Sequence, residues 1–231
     1  MDAIVGSHVP RWAAVSATLA PVAMIGGWTL AASLQSDFDP VRETISALAA
    51  SSARVPLVMT AALAVTGLCH IITAAGLKPV PAGGRLVLGL GGVATAAVAL
   101  LPVDLWPRAH GVAATVAFVA LSTWPVAARN RRGTSALHPR QAVLATAGLL
   151  GLLAWFGLEL MQVTPDAGAA TGLAERALAG AQSLWPLVVV ATALGRHAAP
   201  PSGNPSNMKA MDPDAHRPTR RARDAGRPHP H

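Results

Sequence analysis

Six long apolar runs, separated by short polar segments, dominate the first 195 residues of the sequence. They extend over residues 12–34, 55–76, 86–101, 111–128, 142–163 and 177–194. Runs of roughly 20 residues match a hydrocarbon core roughly 30 Å thick. A soluble domain of this length would need more than the 13% of charged residues found here to solvate its surface. The sequence therefore predicts an integral membrane protein with six spans.

The spans are predicted to be α-helices. Lipid offers no partners to backbone N–H and C=O groups, so only helices and closed barrels cross it. The runs lack the alternation of apolar and polar residues that barrel strands require. We predict an all-α bundle of six transmembrane helices, in which the short third and fourth runs extend into their flanking residues.

The predicted organisation has three parts. Residues 1–11 form a short cytoplasmic N-terminus that lacks the features of a cleaved signal, so the first span is retained. Residues 12–197 form the transmembrane domain. Residues 198–231 are rich in Pro and Arg and poor in apolar side chains, which predicts a disordered basic cytoplasmic tail.

Positive charges predict the orientation. One set of alternate segments holds fourteen Lys and Arg residues, and the other holds only four: Arg42, Arg54, Arg108 and Arg176. Six of the fourteen belong to the tail, and without them the count is still eight against four. The positive-inside rule therefore predicts that both termini are cytoplasmic and that three connections lie outside.

The charge and the cysteine content exclude several classes of protein. The formal net charge is +7, but much of the excess lies in the tail and in one short loop beside apolar spans. That distribution favours lipid headgroups, not nucleic acid, as the partner. The single cysteine, Cys69, excludes an internal disulfide and a cysteine-built metal cage. No nucleotide-binding loop, HExxH or paired CxxC motif is present, so energy coupling by ATP and redox chemistry have no support in the sequence. We predict no metal site and name no cofactor.

The first outer connection is rich in polar residues. Asp39 followed by Pro40 is a good helix start, which predicts a short interfacial helix. Such a helix would place Arg42 and Ser46 on one side, with Glu43 one turn from Ser46. The residues are either a capped amphipathic helix on the membrane surface or part of a polar site.

The second outer connection contains Asp104 and leads to His110 at the start of the fourth span. Asp104 and Arg108 can pair across one helical turn. An imidazole in this position can act as an acid, a base or a ligand. The alternative is a hydrogen bond at the end of the helix.

The third outer segment places carboxylates near the bundle. Glu159 falls inside the fifth span, where a carboxylate needs a partner, a proton or a position in the bundle interior. Glu175 lies in the first turn of the sixth span, and Gln182, seven residues later, faces the same way. His70 lies deep in the second span, where a neutral histidine bonded to a neighbouring helix is the favoured interpretation.

Three motifs carry a resemblance to a known family. They are Asp39-Pro40-Val41-Arg42-Glu43-Thr44-Ile45-Ser46-Ala47-Leu48, Pro102-Val103-Asp104 with His110, and Gly172-Leu173-Ala174-Glu175-Arg176. Over about residues 12–195 the chain resembles the bacterial multi-spanning membrane family catalogued as domain of unknown function 998. The resemblance implies a six-helix protein of a prokaryotic plasma membrane, with no established activity. It points to Arg42, Glu43, Ser46, Asp104, His110, Glu175 and Arg176.

Three functions remain open. In the first, the outer residues, together with Glu159, bind a small polar solute, an ion or a lipid headgroup, with or without transport. In the second, the charges lock the connections together or bind a partner. In the third, the protein is a membrane-embedded hydrolase in which Ser46 is the nucleophile or an oxyanion donor and His110 is the general base. Asp104 or Glu175 is then an orienting carboxylate or a metal ligand. The sequence ranks binding first and catalysis third.

Overall fold

The computed structural model describes residues 8–129 and 137–198. Within them the chain forms seven helices and no strand. The helices are α1 (Arg11–Ser33), α2 (Ile45–Leu48), α3 (Pro56–Gly76), α4 (Ala82–Leu100), α5 (Pro107–Ala127), α6 (Pro139–Leu160) and α7 (Thr171–Ala198). The predicted tail and the basic segment 130–136 lie outside the described residues.

Six of these helices are long and apolar enough to cross a membrane, and α2 is the short exception. The predicted all-α bundle of six spans is thereby confirmed. The third and fourth spans are longer than their apolar runs, as expected. α4 includes Arg85, whose Nε donates to the carbonyl of Ala74 at 3.0 Å, and α5 begins at Pro107, a residue suited to the first turn.

Most of the closely packed long helices are neighbours in sequence, and the pair α1 and α7 is the exception. α3 packs against α1 and α4, α4 packs against α5, and α7 packs against α1 and α6. The closest approach between α3 and α4 needs glycine, because a Cβ added to Gly67 would lie 2.6 Å from the carbonyl oxygen of Gly92. Two buried apolar clusters fill the two halves of the bundle, one around Leu48 and Met59 and the other around Trp124 and Leu88.

Three connections meet at one end of the bundle, which we call the site end. They are residues 34–55, 101–106 and 161–170, together with the helix ends that they join. The backbone N–H of Leu173 donates to the carbonyl of Val41 at 2.9 Å, and residues 51–52 contact Asp104. The three predicted outer connections therefore lie on one side of the bundle.

The first connection differs from the prediction in detail. Asp39 and Pro40 begin a turn, and the helix starts later, at Ile45. The carboxylate of Asp39 accepts from the N–H of Val41, while Glu43 accepts from the N–H of Asp39 at 2.8 Å. These local bonds close the turn, so Thr44 becomes the residue that caps the helix.

Candidate functional site

The hydroxyl of Ser46 and the imidazole of His110 are in hydrogen-bonding contact. Ser46 Oγ lies 3.0 Å from His110 Nε2, and His110 Nδ1 lies 2.7 Å from the carbonyl oxygen of Leu101. A carbonyl can only accept, so Nδ1 carries the proton and a neutral ring has a free lone pair on Nε2. Ser46 therefore donates its hydroxyl proton to Nε2, which is the arrangement of a nucleophile and its base.

Glu175 reaches the same place from α7. Its side chain is 4% exposed, and its Oε1 lies 3.5 Å from Ser46 Oγ. The other oxygen accepts from the backbone N–H of Ile45 at 2.5 Å. Because the single proton of Ser46 points to His110, Glu175 contributes chiefly through the Ile45 bond. That bond fixes the first turn of α2, which carries Ser46.

Local structure explains why these side chains meet. Thr44 caps α2 by accepting from the N–H of Ala47 at 3.2 Å, which fixes the helix that presents Ser46. α4 ends at Leu100, so the carbonyl of Leu101 is free of the helix and available to His110. His110 lies in the first turn of α5 and is 5% exposed, whereas Ser46 is partly exposed.

Arg176 holds the chain that leads to α2. One guanidinium nitrogen, Nη1, lies 2.8 Å from the carbonyl of Pro40, 2.8 Å from that of Glu43 and 2.9 Å from that of Gly172. The guanidinium carbon also lies 5.4 Å from the centre of the Phe38 ring, within cation–π range. Arg176 thus fastens the first connection to α7 through backbone groups.

Asp104 ties the second connection to the first. The hydroxyl of Ser51 donates to its Oδ2 at 2.5 Å, and the N–H groups of Ser51 and Ser52 donate at 3.0 and 3.1 Å. These bonds, that of the Ser51 hydroxyl first, lower the pKa of Asp104 to about 2. The predicted pair with Arg108 is absent from the ion pairs of residues 8–129 and 137–198.

Two further residues of the first motif lie apart from Ser46. The side chain of Arg42 is 71% exposed. Its Nε lies 3.7 Å from Oδ2 of Asp39, so the two residues form an ion pair within the turn. Glu43 accepts from the N–H of Asp39. Neither side chain contacts Ser46, His110 or Glu175 in the described hydrogen bonds, so the larger charged cluster predicted from the sequence is not assembled.

Glu159 is buried, at 6% exposure, as its position inside a span required. Its carboxylate accepts from the backbone N–H of Ala170 at 3.1 Å and from Trp155 Nε1 at 3.4 Å. These contacts join the end of α6 to the connection that follows it. Glu159 therefore has partners of its own, separate from those of Ser46.

Metal-binding side chains do not cluster in the part of the chain that the structure describes. No group of three or more His, Cys, Asp or Glu residues is close enough to hold an ion there. Ser46 has beside it one imidazole and one carboxylate. The chemistry open to this cluster is proton transfer between oxygen and nitrogen.

Comparison with known proteins identifies the family. Residues 18–192 match the family described as "Protein of unknown function (DUF998)". The chain belongs to the DUF998 family. The resemblance stated from the three motifs is thereby confirmed, and the matched range includes all of them. No curated protein and no solved structure matches the chain.

The DUF998 chain also has polar residues that sequence reasoning did not connect with the site. A cavity of about 40 Å³ runs inside the bundle between Ser46 and His70, and Gln182 lines it, as its spacing from Glu175 indicated. Thr95 and Ser183 line it too. A Ser or Thr in an apolar run is weak evidence for a functional site, because most such hydroxyl groups form a hydrogen bond within their own helix.

Proposed function

We propose that this DUF998 protein is a membrane-embedded serine hydrolase that cleaves an ester. The hydrogen bond from Ser46 Oγ to His110 Nε2 carries the proposal. The carbonyl of Leu101 supports it, because it holds the proton on Nδ1 and leaves Nε2 as the acceptor. An orienting group behind the imidazole is the third part of such an arrangement, here supplied by the backbone.

The proposed reaction proceeds in two steps. Ser46 Oγ forms a bond to the carbonyl carbon of the ester while its proton moves to His110 Nε2. The bond between that carbon and the leaving alcohol then breaks, and the alcohol oxygen takes the proton from His110. Water repeats the sequence on the acyl-enzyme, which releases the carboxylic acid and restores Ser46.

Glu175 and Arg176 act as positioning residues in this proposal. Glu175 holds the N–H of Ile45, the residue before Ser46, and Arg176 holds the carbonyl of Glu43. Both residues thus act through Ser46 and His110 without needing to contact the substrate.

The site end is proposed to lie on the outer side of the plasma membrane of a prokaryotic cell, with both termini in the cytoplasm. The excess of Lys and Arg in the opposite connections supports this orientation. Ser46 contacts His110 in the first turn of α5 and Glu175 near the start of α7, so it lies at the level of these helix ends. We propose that the ester approaches from the outer surface of the membrane. The lipid environment is the partner that the six spans require.

A fluorophosphonate probe tests the nucleophile. The protein purified in detergent is incubated with the probe, and the modified peptide is identified by mass spectrometry. We expect labelling at Ser46, loss of labelling in Ser46→Ala, and strong reduction in His110→Gln. Hydrolysis of p-nitrophenyl butyrate should fall roughly 10⁴-fold or more in Ser46→Ala, because nucleophile and base act as a unit.

Ser36→Ala is the matched control, because Ser36 is an exposed serine on the same connection and contacts the carboxylate of Asp37 instead of an imidazole. It should label and hydrolyse as the wild-type protein does. A folded wild-type protein that neither labels nor hydrolyses the ester contradicts the proposal. Labelling that persists in Ser46→Ala contradicts it as well.

The contacts of the other motif residues support a second, structural function for that part of the site end. Asp104, Arg176 and Glu159 bond mainly to backbone groups of the connections. Arg42 and Glu43 are engaged within their own turn. A polar solute would have to displace these bonds, so ligand binding by the full charged set has less support than it had from the sequence.

A further inference from the structure

His70 is a buried histidine with a free ring nitrogen. Its side chain is 1% exposed, and its Nδ1 has no hydrogen-bond partner among the residues that the structure describes. It follows Pro56, the first residue of α3, by fourteen positions, which places it about 21 Å along the helix from the site end. A buried polar group at such a depth requires a partner that the side chains and backbone around it do not supply.

The interior cavity offers that partner a place. Its volume of about 40 Å³ is several times the roughly 10–15 Å³ that one buried water needs. Apolar side chains form most of its wall, including Met24, Leu63 and Phe118. The polar residues that line it are Ser46, His70, Thr95, Glu175, Gln182 and Ser183.

The two ends of the cavity differ. Ser46, which is partly exposed, lines it at the site end. At the opposite side, beyond His70, the bundle is closed by the apolar cluster around Leu77, Leu88 and Trp124, all of them fully buried. The lining of the cavity therefore extends from Ser46 at the site end to His70, and the buried apolar cluster lies beyond His70.

We propose that the cavity is a water-filled inlet by which His70, inside the membrane, takes up a proton from the site end only. A water donates to His70 Nδ1 when this nitrogen is unprotonated and accepts from it when it is protonated, and further waters join that water to Ser183 and Glu175. The proton moves from water at the site end to the imidazole along this chain, and the imidazolium returns it by the same route. The proposal is independent of ester hydrolysis at Ser46.

The charged groups around His70 are consistent with a single inlet. Glu175 lines the same cavity near its entrance, and it is the nearest acid that the neighbouring helices of the described chain offer along this route. The other titratable groups on the helices that surround the cavity are Cys69 on the same helix, Arg11 on α1, Arg85 on α4, Arg108 and His110 on α5, and Arg176 and Arg196 on α7. Arg85 bonds to the carbonyl of Ala74, which is on the far side of His70 from the entrance.

Reaction of introduced thiols with Ag⁺ tests whether the cavity holds water. Ag⁺ is comparable in size to water and reacts with hydrated thiols. In a Cys69→Ala background, Ser183→Cys places a thiol in the cavity, and Ser122→Cys places one in a buried position outside its lining. We expect Ser183→Cys to be at least tenfold more reactive, with Thr95→Cys as a second cavity position should Ser183→Cys fail to fold.

The protonation of His70 tests the second half of the proposal. ¹⁵N signals of labelled histidine, assigned with His70→Asn, should shift with pH in the wild-type protein in liposomes. They should remain those of a neutral ring in Ser183→Leu, where the larger side chain fills the inlet. Equal Ag⁺ reactivity of Ser183→Cys and Ser122→Cys overturns the proposal, and so does a His70 signal that ignores pH in the wild-type protein.

Discussion

Asp104 accepts a hydrogen bond of 2.5 Å from the hydroxyl of Ser51, although 53 residues separate them in the chain. Two backbone N–H groups complete the set around this carboxylate. Among the described residues, no other side chain forms as many hydrogen bonds between the first and second connections. The position of Leu101, and through it that of His110, depends on this tie.

The first prediction concerns pH. Bonds to the charged form of Asp104 depress its folded pKa to about 2, so they stabilise the fold above its unfolded pKa of about 3.9. That stabilisation is lost as pH falls through the folded value. Thermal unfolding midpoints of the wild-type protein should therefore drop between about pH 4 and 2 by more than those of Asp104→Asn.

Asp37→Asn is the control for this prediction. Asp37 lies on the first connection and contacts the hydroxyl of its neighbour Ser36, so its loss severs no tie between connections. It should leave the drop below pH 4 in place. An Asp104→Asn protein with the same pH profile as wild type would show that the tie adds no stability.

Arg176 and Arg42 give the second prediction. Arg176→Lys loses the planar guanidinium whose Nη1 contacts three carbonyls and whose carbon lies over the Phe38 ring, and we expect a loss of about 1–3 kcal/mol in the free energy of unfolding. Arg42→Lys affects an exposed ion pair and should change it by less than about 1 kcal/mol. Denaturant unfolding in detergent measures both. Equal effects of the two variants would contradict the role of Arg176.

Glycine contacts give the third prediction. A Cβ at Gly172 would lie 2.8 Å from the carbonyl oxygen of Pro40, and closer still to Glu43, so Gly172→Ala must displace the turn before α2. Overpacking of this kind costs about 1–3 kcal/mol. Gly157→Ala, with nothing within 4 Å of the added atom, should be neutral or slightly stabilising. Unfolding of both variants under the same conditions makes the comparison.

The same turn shows what the sequence predicts and what it leaves open. The lengths of the apolar runs predict the six spans, because every helix that crosses the membrane must be as long as the hydrocarbon core is thick. The start of α2 was placed too early, since Asp39 and Glu43 satisfy backbone groups locally and leave the cap to Thr44. Short-range competition between side chains and a helix is decided by small energies that a sequence pattern does not resolve.

The sequence names candidate site residues but does not predict how they are arranged. The sequence points to both Ser46 and His110, but 64 residues separate them in the chain. No rule of sequence spacing predicts that residues so far apart come into contact. Gln182 followed from helical periodicity, because positions seven apart share a face. Asp104 was paired with Arg108 by the same reasoning and instead bonds to Ser51, because contacts between connections arise only once the helices are packed.

Glu159 gives the fourth prediction. Glu159→Ala leaves the partly buried N–H of Ala170 without its acceptor, which should cost about 1–3 kcal/mol of unfolding free energy. Glu159→Gln keeps an oxygen that can accept this bond and should cost less. Neither should change fluorophosphonate labelling at Ser46 once the proteins are folded. A loss of labelling in folded Glu159→Gln would place Glu159 in the site after all.

Sidedness gives the last prediction, and the proposed substrate access depends on it. In a Cys69→Ala background, Ser36→Cys places an exposed thiol at the site end, and Lys78→Cys places one on the short connection at the opposite end. Positive charges favour the cytoplasm for the second position. An impermeant maleimide should therefore label Ser36→Cys in intact cells and Lys78→Cys only after permeabilisation. The reverse pattern would turn Ser46 and the inlet towards the cytoplasm, and the ester would have to approach from there.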